Sequence, residues 1–227
     1  MTAGARLGDL TWPAVPDEVL AVPLGSTEQH GPHLPLSTDT DIAVALAHGL
    51  AERRTDVVVA PAVPYGASGE HAGFAGTLSI GHEALELLLI ELVRSATETF
   101  RHVLLVNGHG GNAPTLAAAA ARLRAESRDV LVWAPRWRGD AHAGRTETSV
   151  QLALDPSRVG PARDAGEVAP LAEILPALRR DGLRAVSTNG VLGDPAGASA
   201  EEGRALLAEA VDDLEATVVA WLTVEPA

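Results

Sequence analysis

The sequence contains no cysteine. That excludes disulfides, thiolate nucleophiles and cysteine-ligated zinc, and it suits a cytoplasmic chain. Long hydrophobic runs are missing too. The stretch "LELLLIELV" (85–93) is too short to cross a membrane and carries glutamates. The opening "MTAGARLGDLTWPAVPDE" shows no apolar leader, so no secretion signal is expected. Basic blocks are absent, and the formal net charge is −13. A phosphate backbone requires a lysine and arginine surface, so neither nucleic acid nor membrane is expected as a partner. Aromatic residues make up only 3%, which leaves alanine, leucine and valine to build the core.

What is present is an alternation of apolar runs and helical patterns. Strands are expected over 18–25, 56–63, 102–108 and 129–135, and helices over 40–54, 81–100, 112–127 and about 199–222. Short, continuously apolar strands between helices indicate a parallel sheet covered on both faces. With no internal repeat and no linker, residues 1–227 read as a single domain. In such sheets ligands bind beyond the carboxyl ends of the strands.

The loops at those ends carry the ionisable groups. After the first strand comes "GSTEQHGPHLPLSTD" (25–39), with Glu28 and His30 two apart. In an extended segment they point the same way. Asp39 either caps the next helix or serves as a ligand. After the third strand, "VNGHGGN" (106–112) sets His109 among glycines, beside Asn107, Gly110 and Gly111. The loop "YGASGEHAGFAGTLS" (65–79) supplies Glu70 and His71, either a substrate-pocket pair or simply polar loop residues, with the pocket favoured, and "GDAHAGRTETS" (139–149) supplies His142 and Glu147. A lone Glu-x-His is a weak signal; four such loops on one sheet edge point to metal. Histidine and carboxylate ligands suit zinc, iron or manganese. His48 and His102 read as surface residues, and His82 with Glu83 as the first turn of a helix.

The stretches "PLGSTEQHGPHLPLSTDTD", "GASGEHAGFAGTLSIG", "VNGHGGN" and "HAGRTETS" together resemble the creatininase family of metal-dependent amidohydrolases. The resemblance runs from about residue 18 to 222. It implies a three-layer α/β/α sandwich with a mostly parallel central sheet, commonly assembled as a hexamer. It also implies two divalent ions per chain, zinc or iron, with manganese acceptable. Carried over by motif, Glu28 and His109 would bind one ion and His30 the other, with Asp39 bridging both. Creatininase itself places a further glutamate two residues after the motif histidine. Gly111 stands there in this chain, and Glu147 is the expected replacement. His142 is the expected proton donor to the leaving amine, while Asn107, Gly110 and Gly111 would shape the substrate pocket. Within the family, "HAGRTETSV" and "GVLGDPAGASAEEGR" most resemble the peptidases that release a C-terminal Val-Tyr dipeptide from a modified precursor peptide. The alternative is an amidohydrolase or deformylase acting on a small cyclic or nucleotide-derived amide.

Overall fold

A computed structural model describes residues 4–223. Four strands, β1 (Val19–Leu24), β2 (Val57–Val59), β3 (His102–Asn107) and β4 (Val130–Trp133), form a sheet in the order β2-β1-β3-β4. All pairings are parallel. All six residues of β1 are buried, as a strand covered on both faces requires. Pro23 is tolerated in this central strand because β2 pairs only as far as Ala21, so its missing N–H falls beyond that ladder.

Among the described residues seven α-helices accompany the sheet: α1 (Thr38–Arg53), α2 (Gly81–Ala96), α3 (Ala113–Ala125), α4 (Arg145–Leu154), α5 (Leu171–Asp181), α6 (Leu183–Val186) and α7 (Ala200–Thr223). Alternate strand residues face opposite layers. Val19, Ala21, Val57, Val59, Leu104 and Val106 pack with α1 and α7. Leu20, Val22, Leu24, Val103 and Leu105 pack with α2 and α3. This is the expected three-layer α/β/α arrangement. Trp133 is buried in the α1–α7 layer, and Trp137 packs against it.

The expected strands and helices all occur; the strands, α2 and α3 are shorter, α1 begins two residues earlier, at Thr38, and β2 spans three residues rather than eight. Two differences bear on function. The segment 139–149 is not wholly a loop, because Glu147 lies in the first turn of α4. Residues 171–186, left without an assignment in the sequence, form α5 and α6. Among the described residues no helix is long and apolar enough to cross a membrane.

The register places the site. Leu24, the last residue of β1, is paired with Asn107, the last of β3, so the loops carrying Glu28 and His109 leave the sheet side by side. The first turn of α1 fits against both. A Cβ at Gly108 would overlap the backbone carbonyl oxygen of Asp39, and one at Gly25 would meet Thr40. Glycine at both positions lets the helix carrying Asp39 approach.

Candidate metal centre

Asn112 ties three of the four loops together. Its amide nitrogen donates to the Gly25 carbonyl at 3.1 Å and to Asn107 Oδ1 at 3.2 Å, and its Oδ1 accepts the Ala67 N–H at 2.9 Å. Asn107 departs from the expectation of a substrate-facing group. Its amide donates to the His109 carbonyl at 2.7 Å, and it is buried inside its own loop.

The scaffold gathers Glu28, His30, Asp39, His109, His71 and His142, all buried, with Glu147 at their margin. Asp39 sits at the centre. Its Oδ1 is 3.0 Å from His30 Nε2, and its Oδ2 is 3.3 Å from His109 Nδ1. It is the second residue of α1, and Ser37 occupies the cap position; the carboxylate therefore faces the histidines and caps nothing. Glu28 lies 3.3 Å from His109 Nε2 and 3.2 Å from His71 Nε2. Glu147 Oε2 accepts the Ala143 N–H at 2.6 Å and stands 3.9 Å from His30 Nε2. His30 Nδ1 is 3.2 Å from the Glu28 carbonyl oxygen. A proton held there turns Nε2 towards the carboxylates, the outer-shell pattern of a metal-binding histidine.

Three sets of side chains among the described residues bring ligand atoms within 4.8 Å of one another: Glu28–Asp39–His109, His30–Asp39–Glu147 and Glu28–His30–His142. The first two share Asp39. Both oxygens of Glu28 and Oδ2 of Asp39 are buried without a hydrogen bond. Buried carboxylate oxygens are costly unless a cation or donor satisfies them, so these residues fit a divalent metal.

Electrostatics divides the histidines into two pairs. Burial would lower His30, but the Asp39 carboxylate overrides it and raises the ring to about 10. His109 rises to about 9 against the same burial, through its contact with the Asp39 carboxylate and the charge on Glu28. Burial, reinforced by Asp39, pushes Glu28 up to about 8. Burial and the charge on His30 bring His71 down to about 3 and hold His142 well below the usual range. His71 and His142 are therefore neutral bases next to a charged cluster.

Gln29 was not singled out in the sequence, because a glutamine between two ligand-type residues carries no motif of its own. Its side-chain amide donates to His71 Nδ1 and to the Gly190 carbonyl, each at 3.1 Å, and its backbone carbonyl accepts from His142 Nε2 at 2.9 Å. It fixes both neutral rings. Ser68 was also missed; its hydroxyl contacts Ser26 and lies 3.3 Å from His109 Nε2.

Next to this cluster opens a cavity of about 750 Å³. Glu70, His71, Gly110, Gly111 and His142 line it together with residues of α5. His82, besides opening α2, reaches its rim. Glu70 Oε1 is 3.7 Å from His109 Nε2. It would also lie 2.5 Å from a Cβ added at Gly111, so the space beside Gly111 already holds a carboxylate from another loop.

A family model described as creatininase, creatinine amidohydrolase, matches residues 8–218. The chain is 51% identical over 222 residues to the mycofactocin precursor peptide peptidase of Mycobacterium ulcerans (strain Agy99), covering 93% of this chain and 86% of that protein. A crystal structure of creatinine amidohydrolase superposes with a TM-score of 0.80 at 25% identity, over 99% of this chain and all of that one. A mutant creatininase of Zn-Zn type aligns with a TM-score of 0.74 at 26% identity, over 94% and 96%. A match across nearly the whole length, on a shared fold, has one meaning: the chain belongs to the creatininase family.

Proposed function

We propose that this single-domain chain is a metal-dependent peptidase. It hydrolyses a peptide bond in a modified mycofactocin precursor and releases the C-terminal Val-Tyr dipeptide. Glu28 and His109 hold one divalent ion, His30 and Glu147 the other, and Asp39 both. The observation that carries this reading is the Asp39 carboxylate shared by two ligand sets. The 51% identity to a mycofactocin precursor peptide peptidase supports the substrate class. The proposal extends to a cytoplasmic homo-oligomer, hexameric as in the family.

Two bound divalent ions would supply a hydroxide at neutral pH and polarise the scissile carbonyl. The protein's own part is proton handling and orientation. His142 Nε2–H donates to the Gln29 carbonyl, leaving the unprotonated Nδ1 turned towards the cluster, 3.9 Å from Glu28 Oε1. Because burial keeps the ring neutral, Nδ1 can take the proton lost by the attacking water and return it to the departing amine. Glu147, held by the Ala143 N–H, orients the water side of the site. Gly110, with open space on its Cβ side, lets the substrate backbone approach; Gly111, Glu70 and His71 line its path.

The test is to incubate the zinc- or iron-loaded protein with the modified precursor peptide and follow the masses. Release of Val-Tyr, abolished by a chelator, is the expected outcome. An intact peptide alongside turnover of creatinine or a formamidopyrimidine nucleotide would replace the peptidase reading with that of a small-amide hydrolase.

A further inference from the structure

One wall of the cavity is a face of α5. Leu171, Leu175 and Leu178 recur at i, i+4 and i+7 and all line it, so they form one stripe of the helix. No residue of α5 is buried. The stripe spans about 10 Å of helix and faces the cavity, not the core. It ends on two arginines, Arg179 and Arg180, which also line the cavity.

The two arginines differ. Arg180 is held by Asp181, with Nη2 at 2.7 Å from Oδ2 and Nε at 3.1 Å from Oδ1. Arg179 is exposed and makes no ion pair or hydrogen bond among the described residues. The other acid on the wall, Glu70, sits at the metal end, close to His109. An unpaired guanidinium at the edge of an apolar stripe, in a chain of net charge −13, is a site for an anion.

We propose that Arg179 binds the free C-terminal carboxylate of the peptide, with the apolar stripe that leads away from it through Leu178, Leu175 and Leu171 seating the side chain of the last residue. The occupant follows from charge complementarity and from continuity with the metal centre. An apolar stripe beside a fork-shaped cation suits a terminal residue that pairs a large apolar side chain with a free carboxylate. The end of α5 that carries Arg179 packs on the turn bearing Glu70 and His71; a Cβ at Gly182 would lie 3.3 Å from the Glu70 carbonyl oxygen. An extended residue advances about 3.3 Å. A carboxylate anchored on Arg179 therefore places the bond at the metal centre only a few residues from the chain end. Arg179 would act as a ruler that selects cleavage near the C-terminus.

This inference rests on the peptidase reading, and the test separates the two. Two forms of the modified precursor peptide are compared, one ending in a carboxylate and one in a carboxamide. For the metal-loaded wild type, kcat/KM should favour the carboxylate about 10- to 100-fold, as expected for a hydrogen-bonded charge pair. In Arg179→Gln that ratio should fall to about one, and Arg179→Lys should restore part of it. Damage to the fold would lower both rates and leave the ratio unchanged. A wild-type ratio near one, or a ratio that survives Arg179→Gln, overturns the proposal. If neither peptide is cleaved, the peptidase reading fails. Peptide binding to the metal-free protein, followed by calorimetry, then decides. Tighter binding of the carboxylate form, lost in Arg179→Gln, supports the anchor; equal binding of the two forms removes it.

Discussion

His30 Nε2 lies 3.0 Å from Asp39 Oδ1, and both side chains are buried. This contact joins the loop after β1 to the first turn of α1. It also places Asp39 where its second oxygen faces His109, on the loop after β3. One carboxylate thus links two strand ends.

Replacing Asp39 by alanine should therefore remove both ions together. Metal analysis of the purified Asp39→Ala protein should read close to zero per chain. Two retained ions would end the bridging role.

Glu147 belongs to only one ligand set, with His30 and Asp39. Glu147→Gln should lower metal content by about one ion per chain and leave the set of Glu28, Asp39 and His109 loaded. Its amide side chain can still accept the Ala143 N–H through oxygen, so the start of α4 should survive, as far-UV dichroism can check.

His142→Gln should cut turnover by about 10²- to 10⁴-fold, the usual loss of a general acid–base group. Two ions should stay bound. A fall in metal content instead would make His142 a ligand, through its proximity to Glu28 and His30.

The pH dependence of the metal-free protein follows from the raised values. His30 is raised from 6.5 to about 10 and His109 from 6.5 to about 9. Their protonated rings stabilise the fold fully below pH 6.5, and that contribution is lost as pH rises through 9 to 10. Glu28 moves from 4.5 to about 8. The fold accommodates its protonated form, so its contribution is lost as pH rises from 4.5 through about 8. All three signs agree: chelated protein should melt at a lower temperature at pH 9 than at pH 6.5. Metal displaces these protons, so affinity for zinc should increase over that range. Scanning calorimetry with and without chelator measures both. A melting temperature of the chelated protein that rises with pH would contradict the assignment.

Gly111→Ala tests the space beside His109. The added Cβ would overlap His109 Nε2 and lie 2.6 Å from the Ala67 carbonyl oxygen. The expected cost is about 1–3 kcal/mol of stability, with weaker metal binding, read by chemical denaturation and metal titration.

The layered fold was legible because periodicity is local. Continuous apolar runs at β1 and β3, and helical spacing in α2, needed no partner to be recognised. Glu28, His30 and His109 were legible as ionisable groups among glycines and prolines. Glu147 looked like a loop residue because "RTETS" lacks the strong apolar period that marks a helix; packing of α4 against α7 supplies what propensity does not. α5 was overlooked because Pro176 interrupts its pattern, yet Leu171, Leu175 and Leu178 were visible at helical spacing.

The sequence alone determined the chemistry: no thiol, imidazoles and carboxylates on strand-end loops, and a sheet buried on both faces. Only tertiary structure decided how these groups combine. The parallel register that pairs Leu24 with Asn107 brings two loops together, and the close approach at Gly108 inserts Asp39 between their histidines. The fixing of His71 and His142 by Gln29, and the cavity closed by α5, arise from contacts between residues far apart in the chain. Such contacts leave no period to read, because they depend on the packing of whole elements rather than on neighbouring residues.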